Sequence, residues 1–124
     1  MHSVYLVTLL AAFMPTCASA QSLPSLPQEM LGVWGYELED CTDERSDLRL
    51  IIEPMRVDFY AAAYQLRRIG RTYDGGIYAT AWRNDEGSRR RYSDVIQLRI
   101  LPDGKLHVRG ATNHSYSRCK EHKQ

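Results

Sequence analysis

Only three cysteines occur in the 124 residues, and no Cys-x-x-Cys pair is among them, so the supply for a thiolate zinc site is missing. The one long apolar run, "VYLVTLLAAF", counts ten residues, where a bilayer span needs roughly twenty. No internal repeat or low-complexity tract occurs, which excludes repeat arrays. No alanine- or leucine-rich segment completes a helical stripe of useful length, which argues against a helical bundle. Formal charge is nearly balanced at +1, so no overall basic excess marks the chain for nucleic acid.

The apolar run is followed by "MPTCASAQ", in which Pro15 ends a helix and Ala18-Ser19-Ala20 fits a small-x-small cleavage site before Gln21. Residues 1–20 therefore read as a cleaved secretory signal, although "MHS" supplies no Lys or Arg. An alternative makes Cys17 the lipidated first residue of a lipoprotein, but Pro15 and Thr16 fit that pattern poorly. Either way Cys41 and Cys119 remain as an even pair in an oxidising compartment, and a disulfide between them is expected. The chain is placed in the periplasm or outside the cell.

The mature length allows one domain, taken as residues 30–124 behind a polar, proline-containing linker, "QSLPSLPQE", at 21–29. "PQEML" can add one helical turn, with Pro27 at its first position. Beyond it, period two dominates. "SDLRLIIE" sets Leu48, Leu50 and Ile52 on one face, and "MRVDFY" alternates Met55, Val57 and Phe59 with polar residues. "AAYQLRRI", "GIYATAW", "YSDVIQLRIL", "KLHVRG" and "NHSYSRC" continue the pattern, separated by the turn signals "DGG", "NDEG" and "PDG". The expected fold is all-β: an antiparallel meander of seven or eight short strands forming a small barrel or a strongly coiled sheet.

Chemistry is thinly supplied. His107 alternates with inward Leu106 and Val108, His122 lies in a polar tail, and only His114, in the loop "ATNHS", is placed for proton work. No nucleophile and base, carboxylate pair or metal set emerges, so no catalytic residue, metal or cofactor is assigned. His114, Cys119 and His122 sit close in sequence, but a disulfide cysteine is not a thiolate ligand. The acidic stretch "ELEDCTDERSD" lacks the glycine and spacing of a calcium-binding hand. Charge is distributed in blocks: Glu37 to Asp58 holds eight acids and three arginines, net −5, whereas Arg67 to Arg91 holds seven arginines and three acids, net +4.

"SRRRY" is the sharpest charge feature, because its arginines cannot all be neutralised by their neighbours in sequence. Arg89, Arg90, Arg91 and Tyr92, together with Arg67, Arg68 and Arg71, are the candidate binding rim for an anionic envelope polymer or an acidic protein face. A solvated tip that guards a sheet edge is the competing explanation. Tyr36, Tyr60, Tyr64, Tyr73, Tyr78, Tyr92, Tyr116 and Trp82 outnumber what a small core needs, which leans toward recognition.

"LGVWGY" places a Gly-x-Trp on the first strand of this meander, after a possible helical turn. The arrangement resembles the start of lipocalin-like (calycin) barrels and is similar to small bacterial periplasmic inhibitors on that barrel. The resemblance implies that Gly32 and Trp34 close one barrel end beneath an arginine from near the last strand, Arg118 or Arg109. A barrel this small tends to be filled by its own side chains, so no internal ligand is expected. The functional expectation is an exported, non-enzymatic binding protein that recognises a protein or envelope polymer through loops and rim, hydrolase inhibition being one form. The alternative is an envelope structural or stress-related protein within an assembly.

Overall fold

The computed structural model describes residues 2–3, 10–11 and 21–120. Cys17, Ala20 and His122, and nearly all of the expected signal segment, lie outside the described residues.

Nine strands follow in chain order: β1 (Gln21–Leu23), β2 (Gly32–Gly35), β3 (Arg49–Glu53), β4 (Arg56–Phe59), β5 (Ala62–Arg71), β6 (Ile77–Asp85), β7 (Arg91–Ile100), β8 (Leu106–Arg109) and β9 (Asn113–Arg118). From β2 to β9 each strand pairs antiparallel with the next, and β9 returns to β2 with Trp34 opposite Arg118. The eight strands thus form a closed barrel, which leaves no free edge among them. β7 and β5 are the longest strands, at ten residues each. A register shift between Leu66 and Arg68 bends β5, as a bulge does, and turns both Arg67 and Arg68 outward.

The alternation read from the sequence fills the interior. Leu50, Val57, Tyr64, Ala79, Ile96, Leu98, Leu106, Val108 and Tyr116 are all fully or almost fully buried. Met55 does not join them, because it stands in the tight turn between β3 and β4 and is exposed.

One end of the barrel is closed by the N-terminal segment. Residues 21–29, expected as a linker, instead begin with β1, which pairs with Ile69–Arg71 of β5 beyond the reach of β4. Leu26 is buried and its N–H donates to the Pro54 carbonyl at 2.8 Å. A 3-10 turn at Gln28–Met30 follows, with Pro27 as its cap. The Trp34 indole Nε1 donates to the Met30 carbonyl at 3.0 Å, and the Arg118 guanidinium lies over the Trp34 ring, 4.3 Å from its centroid. Arg118 also donates to the carbonyls of Leu31, at 2.8 Å, and of Glu29. Gly32 has φ +119°, and a Cβ there would stand 3.2 Å from the Arg118 Nη1, so a side chain would be both strained and crowded. Arg109 lies on β8, away from Trp34, opposite Gln97 and Asn113.

Outside the barrel, Cys41 and Cys119 are at disulfide distance, with Sγ atoms 2.10 Å apart. The bond fastens a 3-10 turn at Leu38–Cys41 against the end of the last strand.

Candidate binding face

β6 carries the two environments that define the site. Its residues alternate, so Ala79, Ala81, Arg83 and Asp85 share the inward side, while Tyr78, Thr80, Trp82 and Asn84 face out. Toward its end the strand passes from apolar core to barrel mouth, and the inward side becomes polar.

At that mouth Arg83 is the hub. Its Nε donates to Asp85 Oδ1 at 2.7 Å, and its Nη1 donates to Asp94 Oδ2 and to the Tyr64 hydroxyl, both at 3.1 Å. The Tyr64 hydroxyl donates to Asp94 Oδ2 at 3.1 Å, and the Tyr92 hydroxyl donates to Asp85 Oδ2 at 2.9 Å. Burial, reinforced by the neighbouring Asp94 and opposed by Arg83, pushes the Tyr64 phenol up to about 12. Hydrogen bonds from Arg83 and Tyr92 hold the Asp85 carboxyl below its ordinary range. Burial opposes ionisation of Asp94, but the Val95 N–H and Arg83 outweigh it and lower that carboxyl also. Because its donors and acceptors are mutually satisfied, the network reads as a polar closure of the mouth.

On the outside, Trp82 stands between two arginines. The Arg67 guanidinium lies 4.6 Å and that of Arg91 4.5 Å from the Trp82 ring centroid. The register explains the stack: Trp82 sits opposite Gln65 of β5 and Ser93 of β7, so the outward side chains one step away reach it from both sides. Arg68 sits opposite Thr80 on the same face, and Arg89 and Arg90 stand in the turn between β6 and β7. Among the described residues none of Arg67, Arg68, Arg89, Arg90 or Arg91 is in an ion pair. Packing on the indole orders two guanidinium planes without neutralising them.

Two members of the sequence-derived rim are placed elsewhere. Tyr92 follows Arg91 in the chain and therefore points to the opposite side, into the mouth network. Arg71 ends β5 opposite Ile77, at the far end of the barrel from the turn that holds Arg89 and Arg90, and its Nη1 reaches the Gly75 carbonyl at 3.5 Å. Trp82 belongs to the surplus aromatic residues of the sequence, but its place between Arg67 and Arg91 follows only from cross-strand register. The Arg83 network depends on cross-strand register, for which single-strand patterns give no signal.

The remaining candidates lie apart from these arginines, in contacts of their own. His114 belongs to β9 rather than to a loop, and its ring packs 5.3 Å from that of Tyr36 and 6.2 Å from that of Tyr116. His107 Nδ1 is 3.1 Å from Ser115 Oγ. The acidic stretch organises its own loop, since Asp40 accepts from the Glu37 N–H at 2.7 Å and from Ser46 Oγ at 2.5 Å, while Asp43 accepts from the Arg45 N–H at 3.0 Å. Among the described residues no group of three or more His, Cys, Asp or Glu is placed to hold a metal ion, and no helix is long and apolar enough to cross a membrane. No protein-family model, curated protein or solved structure gives a significant match to the chain.

Proposed function

We propose that the chain is an exported, lipocalin-like binding protein without catalytic activity, which recognises an anionic partner through the face centred on Trp82. The observation that carries this reading is the Arg67–Trp82–Arg91 stack, an outward tryptophan that orders two unpaired arginines. Closure of eight strands, with Gly32, Trp34 and Arg118 at one end, supports the lipocalin-like assignment. The Cys41–Cys119 pair supports an oxidising compartment, and with the leader sequence favours the periplasm or the exterior. The test is capture from envelope extract by the mature protein and by an Arg67→Ser/Arg91→Ser variant across a salt series. Capture that weakens steeply with salt and falls at least tenfold in the variant is expected. Equal capture by both proteins contradicts the reading.

Hydrolase inhibition is a second reading, favoured by a different feature. Leu38 is 83% exposed at a turn fixed by the disulfide and by reciprocal Glu37 and Asp40 hydrogen bonds. A rigid apolar knob suits insertion into a partner's pocket. That reading expects Leu38→Ser, and not the arginine variant, to abolish inhibition of a captured hydrolase.

A further inference from the structure

Clefts line the outward side of β6 from one end to the other. The first, of about 400 Å³, lies at the Trp82 end and includes Gln65, Asn84 and Arg91. The second, of about 490 Å³, lies between Arg67, Arg68 and Thr80 on one side and Ser93 and Val95 on the other. The third, of about 560 Å³, holds Tyr73, Tyr78, Gln97, Arg109 and Asn113. In register, Tyr78, Gln97, Arg109 and Asn113 form one row across β6, β7, β8 and β9. Tyr78 is 44% and Tyr73 93% exposed. Tyr78 lies four positions before Trp82 on the strand, about 13 Å away at the rise of a strand.

We propose that this stripe is one extended binding track for a linear anionic glycan, laid along β6 with several consecutive sugar units in contact. The proposal rests on the anion-binding reading of the Trp82 face and names its ligand class. Three features favour a glycan. The track offers aromatic rings and planar polar groups, namely the amides of Gln65, Asn84, Gln97 and Asn113 and the guanidinium groups of Arg91 and Arg109, with no deep apolar pocket. Hydroxyl-rich rings with spaced acid groups match that alternation of stacking surface and donors. An acidic peptide lacks its usual route onto a sheet, because β6 is paired along its length with β5 and with β7 and has no free main-chain edge to extend. Finally, cations unpaired among the described residues are distributed along the track, with Arg67, Arg68 and Arg91 flanking its first half and Arg109 its second. Of the carboxylates that also line the clefts, Asp74 is paired with Arg99, and Asp85 and Asp94 with Arg83, which leaves Glu86.

The experiment is calorimetric titration of the mature protein with linear uronate and sulfated glycan oligomers of two to eight units, alongside poly-glutamate. Affinity is expected to rise at least tenfold from the shortest to the longest acidic oligomer and to exceed that for poly-glutamate of equal charge. Tyr78→Ala should lower affinity for the long oligomers about tenfold and leave the short ones unchanged. Arg67→Ser/Arg91→Ser should weaken both. Length-independent binding, or Tyr78→Ala without effect, overturns the track while leaving the Trp82 patch standing. Poly-glutamate binding as tightly as the glycans, or no acidic oligomer binding at all, overturns the glycan assignment. Circular dichroism of each variant establishes that loss of binding is not loss of fold.

Discussion

Single residues in this protein divide between holding the barrel shut and presenting charge, and arginine does both. Arg118 is structural: its guanidinium covers Trp34 and reaches the Leu31 and Glu29 carbonyls. Arg118→Ala should therefore lower unfolding free energy by about 1–3 kcal/mol, read from urea denaturation, through lost charge-assisted bonds. Gly32→Ala should cost about 1–2 kcal/mol in the same assay, because its backbone is in the positive-φ region. Arg67 and Arg91 differ in kind, since each packs on Trp82 at the surface and has no carboxylate partner among the described residues. Their removal should change stability by less than about 1 kcal/mol while affecting binding. Gly32 and Trp34 were legible from the sequence because they form a contiguous motif, but the choice of Arg118 over Arg109 required knowing which strand lies beside β2.

At the scale of the strand, alternation explains both what the sequence disclosed and what it hid. Leu50, Val57, Ile96, Leu98, Leu106 and Val108 were legible as core because period two requires only a strand's own residues. Arg89 to Tyr92 reads as one cluster in the chain, yet a strand sends Arg91 and Tyr92 to opposite sides. The role of 21–29 was hidden for a different reason: β1 finds its partner only where β5 outruns β4, a matter of relative strand length. The mouth network and Asp74, in the turn between β5 and β6, contribute to the acid response. Asp85 and Asp94 titrate below their ordinary value in the folded chain, and Thr72 and Arg99 hold Asp74 down to about 2. A carboxyl lowered by folding contributes stability that is complete above its unfolded pKa, about 3.9, and is lost as pH falls through the folded value. The melting temperature should therefore fall between pH 4 and pH 2, and less steeply in Arg83→Met, where Asp85 and Asp94 lose their shared cation. Parallel acid limbs for the two proteins would contradict the role given to Arg83.

The whole molecule is a small closed barrel whose interior is lined by its own buried side chains. Pairing of β9 with β2 closes the barrel, and outside it one covalent tie links the loop after β2 to the end of β9 across a sequence separation of 78 residues. Cys41→Ser/Cys119→Ser should lower stability by up to about 4–5 kcal/mol in the chain-entropy picture. A chain of this size has a total margin of about 5–15 kcal/mol, so the reduced protein should melt well below the oxidised one. For binding by the outer face the molecule carries its own reporter. Trp34 is 1% exposed and hydrogen-bonded within the closed end, whereas Trp82 stands outside between its arginines. Titration of the oxidised mature protein with an anionic ligand, followed by tryptophan emission, should give a saturable change that high salt reverses and that Trp82→Phe abolishes. A ligand that binds by calorimetry without altering Trp82 emission would place recognition elsewhere on the molecule and rule out the Trp82 face.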